Sequence, residues 1–211
     1  MDNVSQFVDR DGWVELVRDA LEDSARVKMA MRGDAARIVE IADRLADTFR
    51  ADGRLYACGN GGSACDAMHL VEELVARYKR DRPGLPAHHL LDAATLTCWS
   101  NDYDYASAFA RQVETLARPG DVLVAISTSG SSANVLAAVE SARARGAWTL
   151  ALTGGTGGAL AAACDESLVV PASATERIQE AHITLIHLLC ELLEQNLFGA
   201  DPAPANRSRP G

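Results

Sequence analysis

Residues 54–78 read RLYACGNGGSACDAMHLVEELVARY and carry the clearest indication of the fold class. Its first five residues, 54–58, are mostly apolar and predict a short buried strand. The glycine-rich segment 59–62 predicts a tight loop, because glycine adopts backbone conformations that other residues avoid. Apolar residues at helical spacing then predict a helix over 64–78. A strand, a glycine loop and a helix in this order are typical of α/β proteins.

The alternation of short apolar runs with helical stretches continues along the chain. Further strands are predicted at 87–91, 121–127, 148–153 and 167–171, and a closing helix from about 175 to 198 contains no breaker. Five such strands predict an α/β fold, a three-layer sandwich with a five-stranded parallel sheet flanked by helices. We expect residues 1–53 to form helices that pack on this core and take part in oligomerisation. Residues 54–198 would form the sheet domain, and residues 199–211 a disordered tail.

The composition excludes several classes of protein. Lys and Arg total 20 against 29 Asp and Glu, a formal net charge of -9, which argues against binding to nucleic acid or anionic lipid. No apolar run approaches the length of a membrane span, and acidic residues near the amino terminus disfavour a signal peptide. Five cysteines without CxxC spacing fit reduced thiols. We therefore expect a cytoplasmic protein with no nucleic-acid or membrane partner.

Two loops at the carboxyl ends of predicted strands have the composition of anion-binding loops. The first, residues 58–63, leads into a helix N-terminus, where unpaired N–H groups carry a partial positive charge. The second, STSGSS at 127–132, offers five hydroxyls and one glycine before the next helix. Ligands of open parallel sheets bind beyond the carboxyl ends of the strands. Both loops are therefore candidate phosphate sites.

Each loop also has a simpler interpretation. Ser and Asn are preferred helix N-caps, so either loop alone could be a turn with a cap. The first loop also matches the dinucleotide pattern as Gly59-x-Gly61-x-x-Ala64, with Asp92 as a candidate ribose-binding acid. Asp92 lies farther along the chain than that pattern usually requires, and neither loop contains the Gly-Lys-Ser/Thr of a Walker loop. A nicotinamide enzyme is therefore the weaker alternative.

Titratable residues on two predicted helices are suited to proton transfer. His69 and Glu73 are four residues apart, so their side chains leave one face of the helix after the first loop. His187 lies in the apolar run ITLIHLLCELL of the closing helix, where an imidazole needs a partner. The same helix carries Gln179, Glu180 and His182. A carboxylate and an imidazole near a phosphate site can move a proton next to a carbonyl, although periodicity does not show whether the two helices meet.

Four separated segments together resemble one enzyme family. They are CGNGGSACDAMHLVEEL, the dipeptide Asn101-Asp102, ISTSGSSANV and RIQEAHITLIH. In order and spacing these segments resemble the bacterial phosphoheptose isomerases, and the resemblance covers about residues 10 to 198. Those enzymes are sugar isomerase (SIS) domain proteins with a flavodoxin-like fold. The resemblance implies that sedoheptulose 7-phosphate is isomerised through an enediolate to D-glycero-D-manno-heptose 7-phosphate, the first step of heptose precursor biosynthesis.

The resemblance also implies the roles of individual residues. The catalytic carboxylate falls on Glu73 and the catalytic histidine on His187. The implied substrate contacts are Asn60, Gly61, Gly62, Ser63, Glu73, Asn101, Asp102, Ser127, Thr128, Ser129, Ser132 and Gln179. The implied metal ligands are His69, Glu73, Gln179 and His187. They would hold one Zn²⁺ per subunit of a homotetramer whose active sites lie at subunit interfaces.

The four implied ligands differ in how well they bind zinc. Histidine and glutamate are good zinc ligands, whereas the amide oxygen of Gln179 is a poor one. Gln179 and His187 are also separated by about 12 Å along the axis of one helix, so both reach a common point only with convergent side chains. A glutamate bound to zinc would in addition be a weaker base. Proton transfer is therefore a firmer expectation than metal dependence.

Two other kinds of SIS-domain protein are alternatives. A non-catalytic protein that associates with the bacterial replication initiator resembles this chain in its loops and closing helix, but lacks the carboxylate and histidine that stand here as Glu73 and His187. A sugar-phosphate-sensing regulator would bring a DNA-binding domain, for which 211 residues leave no room. Because both residues are present, we expect the isomerase.

Overall fold

The computed structural model describes residues 10–199, in which eight α-helices surround one five-stranded sheet. The helices are α1 (Arg10–Ala30), α2 (Ala35–Arg50), α3 (Gly62–Val75), α4 (Ala93–Asp102), α5 (Ala108–Leu116), α6 (Ala133–Ala144), α7 (Gly158–Ala163) and α8 (Thr175–Phe198), with a 3-10 turn at Met31–Asp34 between α1 and α2. The strands are β1 (Leu55–Gly59), β2 (Ala87–His89), β3 (Val122–Ser127), β4 (Trp148–Gly154) and β5 (Glu166–Val170). Residues 1–9, and all of the predicted disordered tail except Gly199, lie outside the described residues.

The sheet is parallel throughout, with strand order β2-β1-β3-β4-β5. Leu55 in β1 pairs with Ala87 of β2 on one side and with Val122 of β3 on the other. This order is that of the flavodoxin-like folds. The prediction of a five-stranded parallel sheet in an α/β protein is confirmed.

Side chains of each strand alternate between two apolar cores. In β3, Val122, Val124 and Ile126 face the core that α1, α2, α3 and α8 cover. Leu123 and Ala125 face the opposite core, which α5, α6 and α7 cover. Both faces of a parallel sheet must be covered in this way, because its strands are apolar on both sides. The predicted three layers are confirmed.

Two predicted elements end two or more residues earlier than expected, whereas the ends of the other predicted strands differ by no more than one residue. The helix predicted over 64–78 ends at Val75, because the Glu194 carboxylate of α8 accepts backbone N–H groups from Tyr78, Lys79 and Arg80 and draws this segment out of the helix. The strand predicted over 87–91 ends at His89. Shortly after it, α4 begins at its own N-cap.

Helix α1 leaves much of its apolar face uncovered. Trp13, Leu16, Val17 and Leu21 are each more than half exposed, and their spacing puts them on one side of the helix. A stripe of this kind on a surface helix is typical of an interaction surface. Between Arg10 and Gly199, no helix has the length and apolar character that crossing a bilayer requires.

Candidate active site

The two predicted phosphate loops lie side by side at a switch point of the sheet. They follow β1 and β3, which are neighbouring parallel strands and therefore end at the same edge. The helix after β1 is α3 and covers one face of the sheet, whereas the helix after β3 is α6 and covers the other. The two connections therefore diverge to opposite faces of the sheet. Open α/β sheets bind their ligands at such a point.

The first loop is shaped by glycines that allow close approach of a side chain from α8. Gly61 has φ of +55°, a conformation that favours glycine, and α3 begins at Gly62. A Cβ at Gly62 would lie 2.3 Å from Nε2 of Gln179. The predicted substrate contact Gln179 is therefore placed directly against the loop. Ser63, by contrast, is buried.

The second loop brings its hydroxyls together. The Oγ atoms of Ser127 and Ser132 are 2.9 Å apart, and Ser131 Oγ donates to Ser129 Oγ at 2.9 Å. Ser132 is at the N-cap of α6, but its side chain makes no capping hydrogen bond. Its hydroxyl therefore stays in the loop, at the end of the helix where N–H groups are unpaired. The loop therefore presents clustered hydroxyls at a helix N-terminus, and its binding of phosphate stays a prediction.

An amide pair that the sequence analysis missed joins the two loops. Asn60 of the first loop and Asn134 of α6 exchange two hydrogen bonds, each of 2.8 Å, between their side-chain amides. Tyr105 Oη donates to Oδ1 of Asn60 at 2.7 Å. Asn134 is buried, whereas Asn60 is partly accessible. The sequence signal for Asn134 was only a polar residue in the first turn of the helix after the second loop.

The main titratable cluster forms where α3 meets α8. His69 Nε2 lies 3.2 Å from Oε1 of Glu73 and 3.1 Å from Nε2 of His187. One ligand atom from each of these three residues lies within 4.8 Å of the others. All three side chains are partly accessible, so a small molecule can reach them. The two helices that periodicity could not connect therefore meet at the predicted catalytic pair.

These three side chains fit a zinc ion by their chemistry and convergence. Two imidazole nitrogens and one carboxylate oxygen are common zinc ligands, and three protein ligands leave a position open for substrate. The fourth predicted ligand, Gln179, lies instead against Gly62. Gly62 is two helical turns, about 10 Å, before His69 on α3. The role of Gln179 as a ligand stays a prediction.

Asn101 and Asp102 lie at the end of α4 and are exposed. Asn101 Nδ2 donates to Asp102 Oδ1 at 2.8 Å, and the Cys98 thiol lies 3.8 Å from the other Asp102 oxygen. The segment after them carries Tyr105, which reaches the first loop. Asn101 and Asp102 are therefore linked to the first loop through the nearby Tyr105. Their own contact with substrate stays a prediction.

Asp92, the candidate ribose-binding acid, has a different role. Its carboxylate accepts hydrogen bonds from the backbone N–H of Thr95 at 2.8 Å and from the Thr95 hydroxyl at 2.7 Å. These bonds cap the first turn of α4 and lower the pKa of Asp92. The structure assigns this carboxylate to a helix cap, which weakens the nicotinamide alternative.

Asp66 is a buried carboxyl close to the cluster that the sequence analysis did not single out. Burial raises the pKa of Asp66 to about 6, and the neighbouring His69 opposes this rise. Its Oδ2 atom has no hydrogen-bond partner among the described residues. Asp66 therefore adds an acidic group on α3, one turn before His69.

Comparison with known proteins identifies the family of this chain. Residues 21–154 match the family model of the SIS domain. The phosphoheptose isomerase of Roseiflexus sp. strain RS-1 is 50% identical over 190 residues, which cover 89% of this chain and 96% of that protein. The phosphoheptose isomerase of Trichlorobacter lovleyi is 46% identical over 181 residues, covering 85% of this chain and 92% of that protein.

A solved structure agrees as well. The phosphoheptose isomerase of Neisseria gonorrhoeae superimposes with a TM-score of 0.82 at 40% identity, and the match covers 87% of this chain and 99% of that one. The family model, the relatives and the shared fold therefore agree on the family. The chain belongs to the phosphoheptose isomerases, which are aldose–ketose isomerases of the SIS domain family.

Proposed function

We propose that the protein converts sedoheptulose 7-phosphate to D-glycero-D-manno-heptose 7-phosphate by acid–base proton transfer through an enediolate, as the first step of heptose precursor biosynthesis. The observation that carries the proposal is the convergence of Glu73 and His187, from two helices that are distant in sequence, to within 4.8 Å. The helix that carries Glu73 begins at the first of the two candidate anion-binding loops. The relatives that match most of this chain are named phosphoheptose isomerases.

In this proposal the second loop binds the phosphate of the sugar. Ser127, Thr128, Ser129 and Ser132 offer hydroxyls, and the start of α6 offers backbone N–H groups. Donors of this kind bind an anion without placing a positive side chain in an acidic protein. The first loop, with Asn60, Gly61 and Gly62, would contact the sugar hydroxyls together with Gln179, Asn101 and Asp102. Burial of Ser63 leaves this residue to support the loop from inside.

Glu73 and His187 would divide the proton transfers between carbon and oxygen. Glu73 takes the proton from C1 of the ketose and returns it to C2, which leaves a new aldehyde at C1. His187 gives a proton to the C2 oxygen and accepts one from the C1 oxygen, so that protons balance over the cycle. Holding both groups against one substrate makes these transfers intramolecular, which accounts for much of the expected acceleration.

We also propose one zinc ion per subunit, held by His69, Glu73 and His187 with Gln179 as the fourth ligand. Convergence of the first three side chains supports this set. Bound zinc would polarise the substrate carbonyl and stabilise negative charge on its oxygen. Glu73 would then have to serve both as ligand and as base, and its carboxylate has two oxygens for these two tasks.

The proposed assembly is a homotetramer with active sites at subunit interfaces. The uncovered apolar face of α1 supports an association of subunits, and the accessibility of His69 and His187 leaves room for a neighbouring chain at the site. We propose a cytoplasmic location because all five cysteines are free, two of them exposed, as expected in a reducing compartment.

A direct test follows sedoheptulose 7-phosphate and its aldose product by NMR with the wild-type protein and with Glu73→Gln. We expect the substitution to lower kcat at least about 100-fold, because the amide cannot act as a base. Glu72→Gln is the matched control, since Glu72 is the exposed neighbour of Glu73 on α3, and it should retain activity near that of the wild type.

The proposal fails if the folded wild-type protein gives no more aldose than Glu73→Gln does. That result would favour the non-catalytic alternative. Equal losses in the two glutamine variants would point to a general effect of charge on α3 and would also contradict the role of Glu73.

A further inference from the structure

The ring of Tyr78 lies against the imidazole of His187. The two rings are stacked, with centroids 5.8 Å apart and planes inclined by 28°. The His187 ring also meets His69, with centroids 5.1 Å apart and planes inclined by 59°. Nζ of Lys79 lies 5.2 Å from the centre of the Tyr78 ring. Aromatic neighbours in two directions restrict the orientations open to His187.

The position of Tyr78 is set by a buried ion pair. Arg82 Nε donates to Oε1 of Glu194 at 2.9 Å, and these two side chains are only 2% and 3% exposed. The same carboxylate accepts the backbone N–H groups of Tyr78 at 3.1 Å, Lys79 at 3.0 Å and Arg80 at 3.1 Å. The chain after α3 is therefore fixed against α8 at the residue that carries the ring.

The same ion pair holds the end of the helix that carries Glu73. Arg82 donates from Nη1 to the carbonyl of Leu74 and from Nη2 to the carbonyl of Glu73, both at 2.8 Å. These carbonyls belong to the last turn of α3, where intrahelical partners are missing. Glu194 lies seven residues, two helical turns, after His187 and on the same face of α8. The Arg82–Glu194 pair therefore fixes the end of α3, which carries Glu73. It also fixes the segment that carries Tyr78, whose ring packs on His187.

We propose that Tyr78 is a positioning residue, held by the Arg82–Glu194 pair, that keeps the His187 imidazole in the orientation needed for proton transfer and for metal binding. This inference rests on the proposed role of His187. An imidazole turns about its Cβ–Cγ bond unless neighbours pack against its faces, and a turned ring directs its nitrogen away from substrate and metal. The stacked ring carries this effect, and the tyrosine hydroxyl is not needed for it.

Three variants separate this role from a general contribution to stability. Tyr78→Leu removes the ring and keeps the backbone N–H that Glu194 accepts. Tyr78→Phe keeps the ring and removes only the hydroxyl. Phe49→Leu is the matched control, because Phe49 is a partly buried aromatic residue of α2 that packs on the same core. Its neighbour Arg50 bonds to Asn196, about two and a half turns of α8 after His187.

The experiment measures turnover of sedoheptulose 7-phosphate and, separately, zinc affinity by competition with a chromophoric chelator, both on the full-length protein. For Tyr78→Leu we expect kcat to fall about tenfold or more and the Kd for zinc to rise about tenfold, as on loss of a group that orients a ligand. Because substrate contacts stay in place, KM should change less than about twofold. Tyr78→Phe and Phe49→Leu should both stay near the wild type.

Tyr78→Leu with kcat and zinc affinity within about twofold of the wild type would overturn the proposal. An equal loss in Phe49→Leu would overturn it as well, because a structural contribution would then explain both. A wild-type protein without turnover would count against the proposed isomerisation alone. In that case the zinc affinities alone would test the positioning role of Tyr78. Equal affinities of the wild type and Tyr78→Leu would overturn that role.

Discussion

His182 and His187 belong to one helix but have opposite environments. His182 is fully buried, and its Nε2 lies 3.2 Å from the backbone carbonyl of Thr153, to which it donates when that nitrogen carries the proton. Its Nδ1 has no hydrogen-bond partner among the described residues. Burial lowers the pKa of His182 to about 4, although the bond to Thr153 opposes this change. His182 is therefore a neutral core residue that ties α8 to the end of β4.

This environment predicts a loss of stability in mild acid. In the unfolded chain His182 has a pKa of about 6.5. Between about pH 6.5 and pH 4 the unfolded state therefore binds a proton at His182, whereas the folded state does not. The contribution of His182 to the free energy of unfolding should fall by up to about 3 kcal/mol as pH is lowered from about 6.5 to about 4. The raised pKa of Asp66 acts in the opposite direction over much of this range, so a His182 variant is needed to isolate the contribution. Urea unfolding at several pH values measures the slope.

His182→Gln supplies the comparison, because glutamine can donate to Thr153 but does not titrate. We expect the variant to show a shallower dependence of unfolding free energy on pH between 4 and 6.5, whatever its stability at pH 7. Identical slopes for variant and wild type would show that His182 is not held neutral in the core.

Individual site residues differed in how far the sequence could predict them. His69 and Glu73 were predicted to share a face because helical spacing fixes that relation. The contact of His69 with His187 spans 118 residues of sequence, and no local pattern encodes how two helices cross. Tyr105 and Tyr78 escaped prediction for the same reason, since each acts through a tertiary contact of a segment without a motif.

Among the elements, the serine loop depends on a close contact with the loop after β4. Gly130 has φ of +62°, and a Cβ there would lie 2.1 Å from the carbonyl oxygen of Gly157. The backbone N–H of Leu160 donates to the Gly130 carbonyl at 2.9 Å. The start of α7 therefore supports the loop that is proposed to bind phosphate.

Gly130→Ala should disturb both stability and phosphate binding. The added methyl group must displace one of the two loops and occupies a strained conformation, which we expect to cost about 1–3 kcal/mol of unfolding free energy. KM for the sugar phosphate should rise at the same time. Denaturant unfolding and steady-state kinetics measure the two effects.

Gly33→Ala is the control for this substitution. Gly33 lies in the 3-10 turn, and a Cβ there would meet no atom within 4 Å. Its stability should change by no more than about 0.5 kcal/mol. A Gly130→Ala protein with unchanged stability and unchanged KM would contradict the tight contact between the loops.

Element order and sheet class were predictable because apolar runs of strand length alternate with helical periodicity along the whole chain. The end of α3 could not be predicted from local sequence, because it depends on the carboxylate of Glu194 in α8, far along the chain. Positions of helices along the chain thus follow local sequence, whereas their last turns follow tertiary hydrogen bonds.

For the whole molecule, the uncovered face of α1 leads to a prediction about assembly. We expect a sedimentation mass near four times 22.4 kDa for the wild-type protein. Leu16→Glu combined with Leu21→Glu should dissociate it, because two charges would have to be buried in an apolar contact.

Glu22→Lys is the matched control, since Glu22 lies on the opposite side of α1 from Trp13 and should leave the mass unchanged. A wild-type monomer at micromolar concentration would contradict the proposed assembly. Dissociation by Glu22→Lys alone would assign the contact to the other face of the helix.

The central claim is that Glu73 and His187 act on one substrate as a single proton-transfer unit, and a double-mutant cycle tests it most directly. Values of kcat/KM for sedoheptulose 7-phosphate are measured for the wild type, Glu73→Gln, His187→Ala and the double variant. We expect each single substitution to cost at least about 100-fold, and the double variant to fall no more than about tenfold below the slower single variant. Single variants within about threefold of the wild type, or losses that multiply fully in the double variant, would show that the two residues do not act as one unit.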